Sequence, residues 1–139
     1  IFGSLRCDCQ DQLHTALALI AQNKNGAVVY LKNQEGRGIG ISNKIKAYHL
    51  QEQGLNTYEA NEKLGLPKDK RNYTEAIWML KALSINDFYL LSNNPDKINA
   101  ITKAGFLFNI LQVGVTQTTH NQQYLSDKIE IGKHTIKFN

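Results

Sequence analysis

The stretch Gln34-Glu35-Gly36-Arg37-Gly38-Ile39-Gly40 decides how this chain folds. An apolar run, Ala27 to Leu31, precedes it and has the length and composition of a buried strand. Ile41 to Gln53 follows it and reads as a helix, with Ser42 or Asn43 near its start and Gly54 as its stop. Three alternating glycines let the backbone adopt left-handed angles and approach a ligand closely. The following helix start offers unpaired N–H groups and a partial positive charge. Glu35 and Arg37 place an acid and a base inside the turn. The combination suits a polar, phosphorylated ligand. A plain strand-to-helix turn would need the same glycines for geometry alone.

Working outward, Asp11 to Gln22 has apolar residues at Leu13, Leu17, Ile20 and Ala21, which is helical spacing. Asp8 or Asp11 is positioned to cap it, and Asn25-Gly26 to end it. Asn56 or Thr57 caps a short helix, Tyr58 to Leu64, with Glu59 well placed for the helix dipole. A polar loop, Gly65 to Asn72, leads into an apolar helix, Tyr73 to Leu83, with Ala76, Ile77, Leu80 and Leu83 on one stripe. Asp87 to Leu91 reads as a strand and runs into Ser92-Asn93-Asn94-Pro95, a helix start with proline at the first helical position. The helix Asp96 to Ala104 stops at Gly105. Phe106 to Val113 is a strand, the segment from Thr116 is polar, and a last helix spans about Asn121 to Ile131. Strands alternating with helices predict an α/β fold, a mixed sheet that is parallel in part with helices packed on it. Ligands of such sheets sit beyond the carboxyl ends of strands, which singles out the Glu35 turn and the Ser92 turn.

The 139 residues predict one domain, 1–139, large enough for a real core. The chain starts at Ile1 in what reads as the middle of an element, so the expectation is a domain truncated at its N-terminus. Hydrophobic residues at 42% and charged residues at 20% are ordinary for a globular protein. No apolar run reaches the roughly 18 to 20 residues that span a bilayer, and the start shows no secretory pattern. The expectation is a cytoplasmic protein with no membrane partner. A net charge of +4, spread along the chain, favours anionic ligands without the basic stripe of a nucleic-acid binder.

Several groups could carry chemistry. Cys7 and Cys9, one residue apart, fit a disulfide poorly and read as thiols or as two ligands of one zinc ion, which needs at least one more. His14, His49, His120 and His134 show no metal-motif spacing. Asp69 and Arg71 could act as a base and a phosphate clamp, or form an ordinary solvated pair. Tyr48 sits among apolar positions, where a tyrosine is more often core than catalytic. Ser92 to Pro95, with Lys97, could receive a phosphate or serve only as a capping turn. Gln12 and Thr57 carry no signal of their own.

Taken in order, these pieces resemble one family. Phe2-Gly3-Ser4-Leu5-Arg6-Cys7-Asp8-Cys9, Gln34 to Gly40, Asn43-Lys44-Ile45-Lys46-Ala47-Tyr48, Asp69-Lys70-Arg71-Asn72-Tyr73 and Leu90-Leu91-Ser92-Asn93-Asn94-Pro95 are similar to the signatures of GTP cyclohydrolase II. The likeness runs from Phe2 to about Lys128. It implies hydrolysis of the imidazole ring of GTP with release of formate and pyrophosphate, the opening step of riboflavin synthesis. It further implies zinc and magnesium as metals and a homodimer. By that resemblance Cys7 and Cys9 match two of three zinc ligands, the first lying upstream of Phe2. Gln12, Glu35, Gly36, Arg37, Thr57, Ser92 and Lys97 match GTP contacts. Asp69 matches the proton acceptor, Arg71 the nucleophile towards the α-phosphate, and Tyr48 a tyrosine near the reacting ring. Gln10, Asn33 and Asn72 depart from the usual glycine, arginine and aspartate, and Ser92 replaces a threonine. The family also occurs fused to a dihydroxybutanone phosphate synthase. A different class remains open: a catalytically silent relative that holds GTP or regulates a partner.

Overall fold

A computed structural model describes residues 2–115 and 117–138; Ile1, where the expected truncation falls, Thr116, where the polar segment begins, and Asn139 lie outside the described residues. The elements run α1 (Cys9–Asn23), α2 (Glu35–Gly38), α3 (Ile41–Glu52), α4 (Thr57–Lys63), α5 (Thr74–Ala82), β1 (Asp87–Leu91), α6 (Pro95–Lys103), β2 (Leu107–Leu111), β3 (Gly114–Val115), α7 (Gln122–Glu130) and β4 (Lys137–Phe138). Helix and strand are both present, as an α/β chain requires. The backbone divides into two compact units, one of Ile1–Val29 with Ile77–Asn139 and the other of Tyr30–Ala76.

In the first unit β1 pairs in parallel with β2, Asp87 opposite Leu107 and Leu91 opposite Leu111, with α6 as the crossover. That is the β–α–β unit read from the alternation of elements. Asn94 caps α6 by accepting from the Asp96 N–H at 2.9 Å, and Pro95 stands at the first turn. Gly105 takes a φ of 81° after the helix. Phe88 meets Phe106 edge-on at 5.6 Å and stacks on Phe108 at 6.0 Å between centroids. Ile101, Phe106, Val113, Val115 and Leu125 are buried. A second parallel ladder, β3 with β4, was not foreseen, because two-residue strands leave no periodicity to read. Both ladders among the described residues are parallel, where a mixed sheet was expected.

The second unit holds α2, α3 and α4. Asn56 accepts from the Tyr58 and Glu59 N–H groups while Glu59 accepts from the Asn56 N–H, a complete capping box at the start of α4. Ala47 and Ala60 are buried.

A further expectation needs correction. The run Ala27–Leu31 is not a strand; Val28, Val29 and Tyr30 are 38%, 37% and 56% exposed. A strand needs a neighbour for its N–H and C=O groups, and the ladders among the described residues join only β1 to β2 and β3 to β4. The apolar stripes of α1 and α5 are likewise not buried, with Leu17 at 49% and Leu83 at 67% exposure. Helical spacing sets which residues share a face, and says nothing of what covers it. Among the described residues no helix is long and apolar enough to cross a membrane.

Candidate functional site

The second unit gathers Glu35, Gly36, Arg37, Tyr48, Thr57, Asp69 and Arg71. The glycine-rich segment is one turn, α2, bent through left-handed angles at Gly36 (φ 61°, ψ 33°) and Arg37 (φ 65°, ψ 35°). For arginine such angles are strained, since its Cβ crowds the following carbonyl. The turn holds Arg37 with only 9% of its surface exposed. Its guanidinium lies 4.1 Å from the centroid of the Tyr58 ring, and its Nη2 is buried with no hydrogen-bond partner among the described residues. A buried N–H of this kind costs free energy until an acceptor arrives.

The Asp69–Arg71 loop lies directly against this turn. The Lys70 N–H donates to the Arg37 carbonyl at 2.9 Å. A Cβ built on Gly38 would stand 3.1 Å from the Lys70 carbonyl carbon and 3.3 Å from the Arg71 nitrogen, at a φ of +85°. Glycine at 38 is therefore what lets the two segments touch. Gln34 Nε2 donates to the Asn72 carbonyl at 3.0 Å and joins them a second time.

Within the loop, Asp69 and Arg71 form a fork-to-carboxylate pair through Nε and Nη2, and the Arg71 N–H donates to Asp69 Oδ1 at 2.9 Å. Burial works to raise the Asp69 pKa, but it is outweighed by the Arg71 side-chain and backbone hydrogen bonds and by attraction to Arg71 and Arg37. The carboxyl ends below its ordinary 3.8. Glu35 lies 2.5 Å from Lys44 Nζ, and that bond holds its pKa below the usual 4.5. The same ammonium stands 5.6 Å from the Tyr48 ring centroid, so Glu35 and Tyr48 share one cation. Tyr48 is half-buried on α3 and Thr57 is buried at the start of α4. Lys44 and Tyr58 were missed as site residues, because the Glu35–Lys44 and Arg37–Tyr58 contacts depend on how α2, α3 and α4 pack, although Lys44 and Tyr48 are an i,i+4 pair within α3.

The first unit carries the remaining expected residues. Cys7 and Cys9 are thiols with no disulfide between them, the first buried and the second half-buried. The hydrogen bond of the Cys9 thiol to Cys7, burial and repulsion from Cys7 together push the Cys9 thiol well above its ordinary range, against an opposing pull from Lys128. Two adjoining thiols fit a zinc ion as two of its ligands, since zinc favours sulfur and displaces the thiol proton. Further donors have to come from elsewhere, because no cluster of three His, Cys, Asp or Glu suited to a metal occurs among the described residues. Asp8, read as a cap for α1, makes no capping bond with its side chain. It accepts instead from Gln12 Nε2 at 2.5 Å and from Lys128 Nζ at 2.6 Å. Gln12 is thus spent in part on Asp8. The Gln12 contact has the local i,i+4 spacing of a helix; the Lys128 contact has no local signal, since Lys128 stands 120 positions away.

Ser92 and Lys97 belong to the β1–α6 turn. Ser92 is buried, its N–H donates to the Leu111 carbonyl at 3.1 Å, and its Oγ accepts from the Asn94 N–H at 3.2 Å. Asn93 was not singled out as a site residue, yet it fixes this turn. Its side chain donates to the Val113 carbonyl at 2.8 Å and accepts from the Val113 N–H at 3.0 Å. Lys97 is half-buried in the first turn of α6.

Comparison with known proteins gives the arrangement its family. The family model described as GTP cyclohydrolase II matches residues 1–110. A GTP cyclohydrolase-2 of Vibrio parahaemolyticus is 44% identical over 138 residues, covering 99% of this chain and 69% of that protein. The riboflavin biosynthesis protein RibBA of Phocaeicola vulgatus is 44% identical over 140 residues, covering 100% of this chain and 34% of its own length. The RibBA of Bacillus velezensis is 45% identical, with 99% and 35% covered. The chain therefore spans about a third of the RibBA relatives and about two thirds of the GTP cyclohydrolase-2 relative.

Proposed function

We propose, since this chain belongs to the GTP cyclohydrolase II family, that it serves riboflavin synthesis by opening the imidazole ring of GTP hydrolytically, with release of formate and pyrophosphate. The observation that carries the reading is Arg37. It is a buried guanidinium on a strained turn, stacked on Tyr58, with an Nη2 that has no hydrogen-bond partner among the described residues, beside a second arginine-bearing loop. A fold keeps such strain where a ligand repays it.

In this reading Arg37 and Arg71 take phosphate oxygens, for which a guanidinium fork is well shaped. Glu35 accepts from the N–H groups of guanine, which adenine cannot supply in that pattern. Asp69 is ionised and ready to accept a proton, but it is a weak base while Arg71 holds it. A triphosphate that draws Arg71 away would raise the Asp69 pKa and strengthen it as a base at that moment. Arg71 is the nucleophile towards the α-phosphate in this reading, and its guanidinium fork also suits it to stabilising phosphate charge. Tyr48 flanks the guanine ring, and Gln12, Thr57, Ser92 and Lys97 complete the nucleotide contacts. Cys7 and Cys9 would hold zinc, which when bound supplies a Lewis acid and an activated water for attack on the ring carbon between two nitrogens. Magnesium would share the triphosphate charge. The active form is a homodimer in the cytoplasm.

The test is formate release from GTP by the full-length protein with zinc and magnesium present. Release that disappears in Cys7→Ser and in Arg71→Ala supports the reading. GTP binding with no formate release would replace it with a silent nucleotide-binding relative.

A further inference from the structure

We propose that Lys128 is a positioning residue for the Cys7–Cys9 pair: locked on Asp8 from α7, its ammonium holds the two thiols in register for one metal ion. The inference rests on the zinc-binding part of the function proposed above. Asp8 is 1% exposed and Lys128 6%, and Nζ lies 2.6 Å from Oδ1. Gln12 occupies Oδ2 at 2.5 Å, so both carboxylate oxygens are held. Lys128 is itself placed, with Nζ 4.9 Å from the Tyr124 ring centroid and its carbonyl accepting from the His134 N–H at 3.0 Å.

Burying two opposite charges costs desolvation that their attraction repays only in good geometry, and an apolar pair of similar volume is often at least as stable. Such a pair is better understood as setting a register than as general glue. What it registers here is specific. Asp8 is the one residue between the two cysteines, so fixing its carboxylate on two sides fixes the backbone from which both Sγ atoms project. The lysine arrives from α7, beyond the residues 1–110 that the family model matches. Closure of the C-terminal helix and readiness of the thiols are then one event. Groups that support metal ligands from behind characteristically govern metal affinity as much as they govern stability.

The test uses the full-length protein and cobalt(II) as probe, read by the thiolate-to-cobalt charge-transfer absorption, with zinc affinity taken by competition. The double variant Asp8→Asn/Lys128→Met removes both charges at similar volume. It is expected to melt cooperatively and to bind cobalt about 10- to 100-fold more weakly. Lys128→Arg keeps the charge opposite Asp8 and is expected to bind cobalt more tightly than the double variant. A folded double variant that binds metal as tightly as the parent overturns the inference and leaves the proposed function standing. So does a loss in Lys128→Arg as large as in the double variant, which would trace the effect to packing. A double variant without a cooperative melt assigns the pair to the core alone and also overturns it. A parent protein with no thiolate–cobalt band removes the zinc-binding reading itself.

Discussion

Arg37→Gly should leave the protein about as stable as before while damaging its binding of GTP. Arg37 holds left-handed angles (φ 65°, ψ 35°), which cost a residue with a Cβ about 1–2 kcal/mol. Its buried Nη2, without a partner among the described residues, costs about 1–3 kcal/mol more. Glycine removes both penalties. Against that stand the stack on Tyr58 at 4.1 Å, worth about 0.5–2 kcal/mol, and about 0.5–1 kcal/mol of extra backbone entropy in the unfolded chain. Removing the buried methylenes of Arg37 costs about 0.8 kcal/mol each, so the balance lies within about 1 kcal/mol of zero. For GTP the effect is a loss. A lost charge-assisted hydrogen bond of about 1.5–3 kcal/mol weakens binding about 10- to 100-fold. Urea melts and calorimetric titration with GTP measure the two quantities on the same preparations. A stability loss above about 2 kcal/mol, more than the stack can explain, would make Arg37 a structural residue. GTP affinity within twofold of the parent would refute its role in reception.

Other expectations follow from the same geometry. Gly38→Ala drives a Cβ into the Lys70–Arg71 backbone at a φ of +85°; it should destabilise by about 1–2 kcal/mol and lower formate release further by moving Asp69 and Arg71, with unchanged release counting against the contact. Glu35→Ala should weaken GTP binding more than ATP binding; equal losses in paired titrations would show that Glu35 does not read the base. Asp69 and Glu35 have folded pKa values below their ordinary 3.8 and 4.5, so each contributes stability that is present above those values and lost as pH falls through the lower folded values. Thermal melts should therefore be flat with respect to these two groups near neutrality and fall in that acidic window. Arg71→Gln should remove the Asp69 part of the fall; an identical acid limb in the variant would show that the pair is not coupled to folding.

What could be read from residue order alone was local. The cap at Asn56, one of the two residues offered for it, the Asn94-Pro95 helix start, the stops at Gly54 and Gly105 and the glycine-rich turn all act within about four residues along the chain, and each appears where it was expected. The family was legible for a similar reason, since its signatures are short runs of adjacent residues. The run Ala27–Leu31 failed as a strand because strand formation depends on a partner, and no property of five residues provides one. Arg37 on Tyr58, Lys44 on Glu35, and Gly38 against Lys70 arise only when separate turns of backbone are packed together. Asp8 shows the division most clearly. By sequence it is one of two candidate helix caps, with Asp11, a role in which its carboxylate would accept from nearby backbone N–H groups. In the folded chain a buried ammonium from 120 positions away outcompetes those N–H groups, because a charge removed from water must be met by a charge.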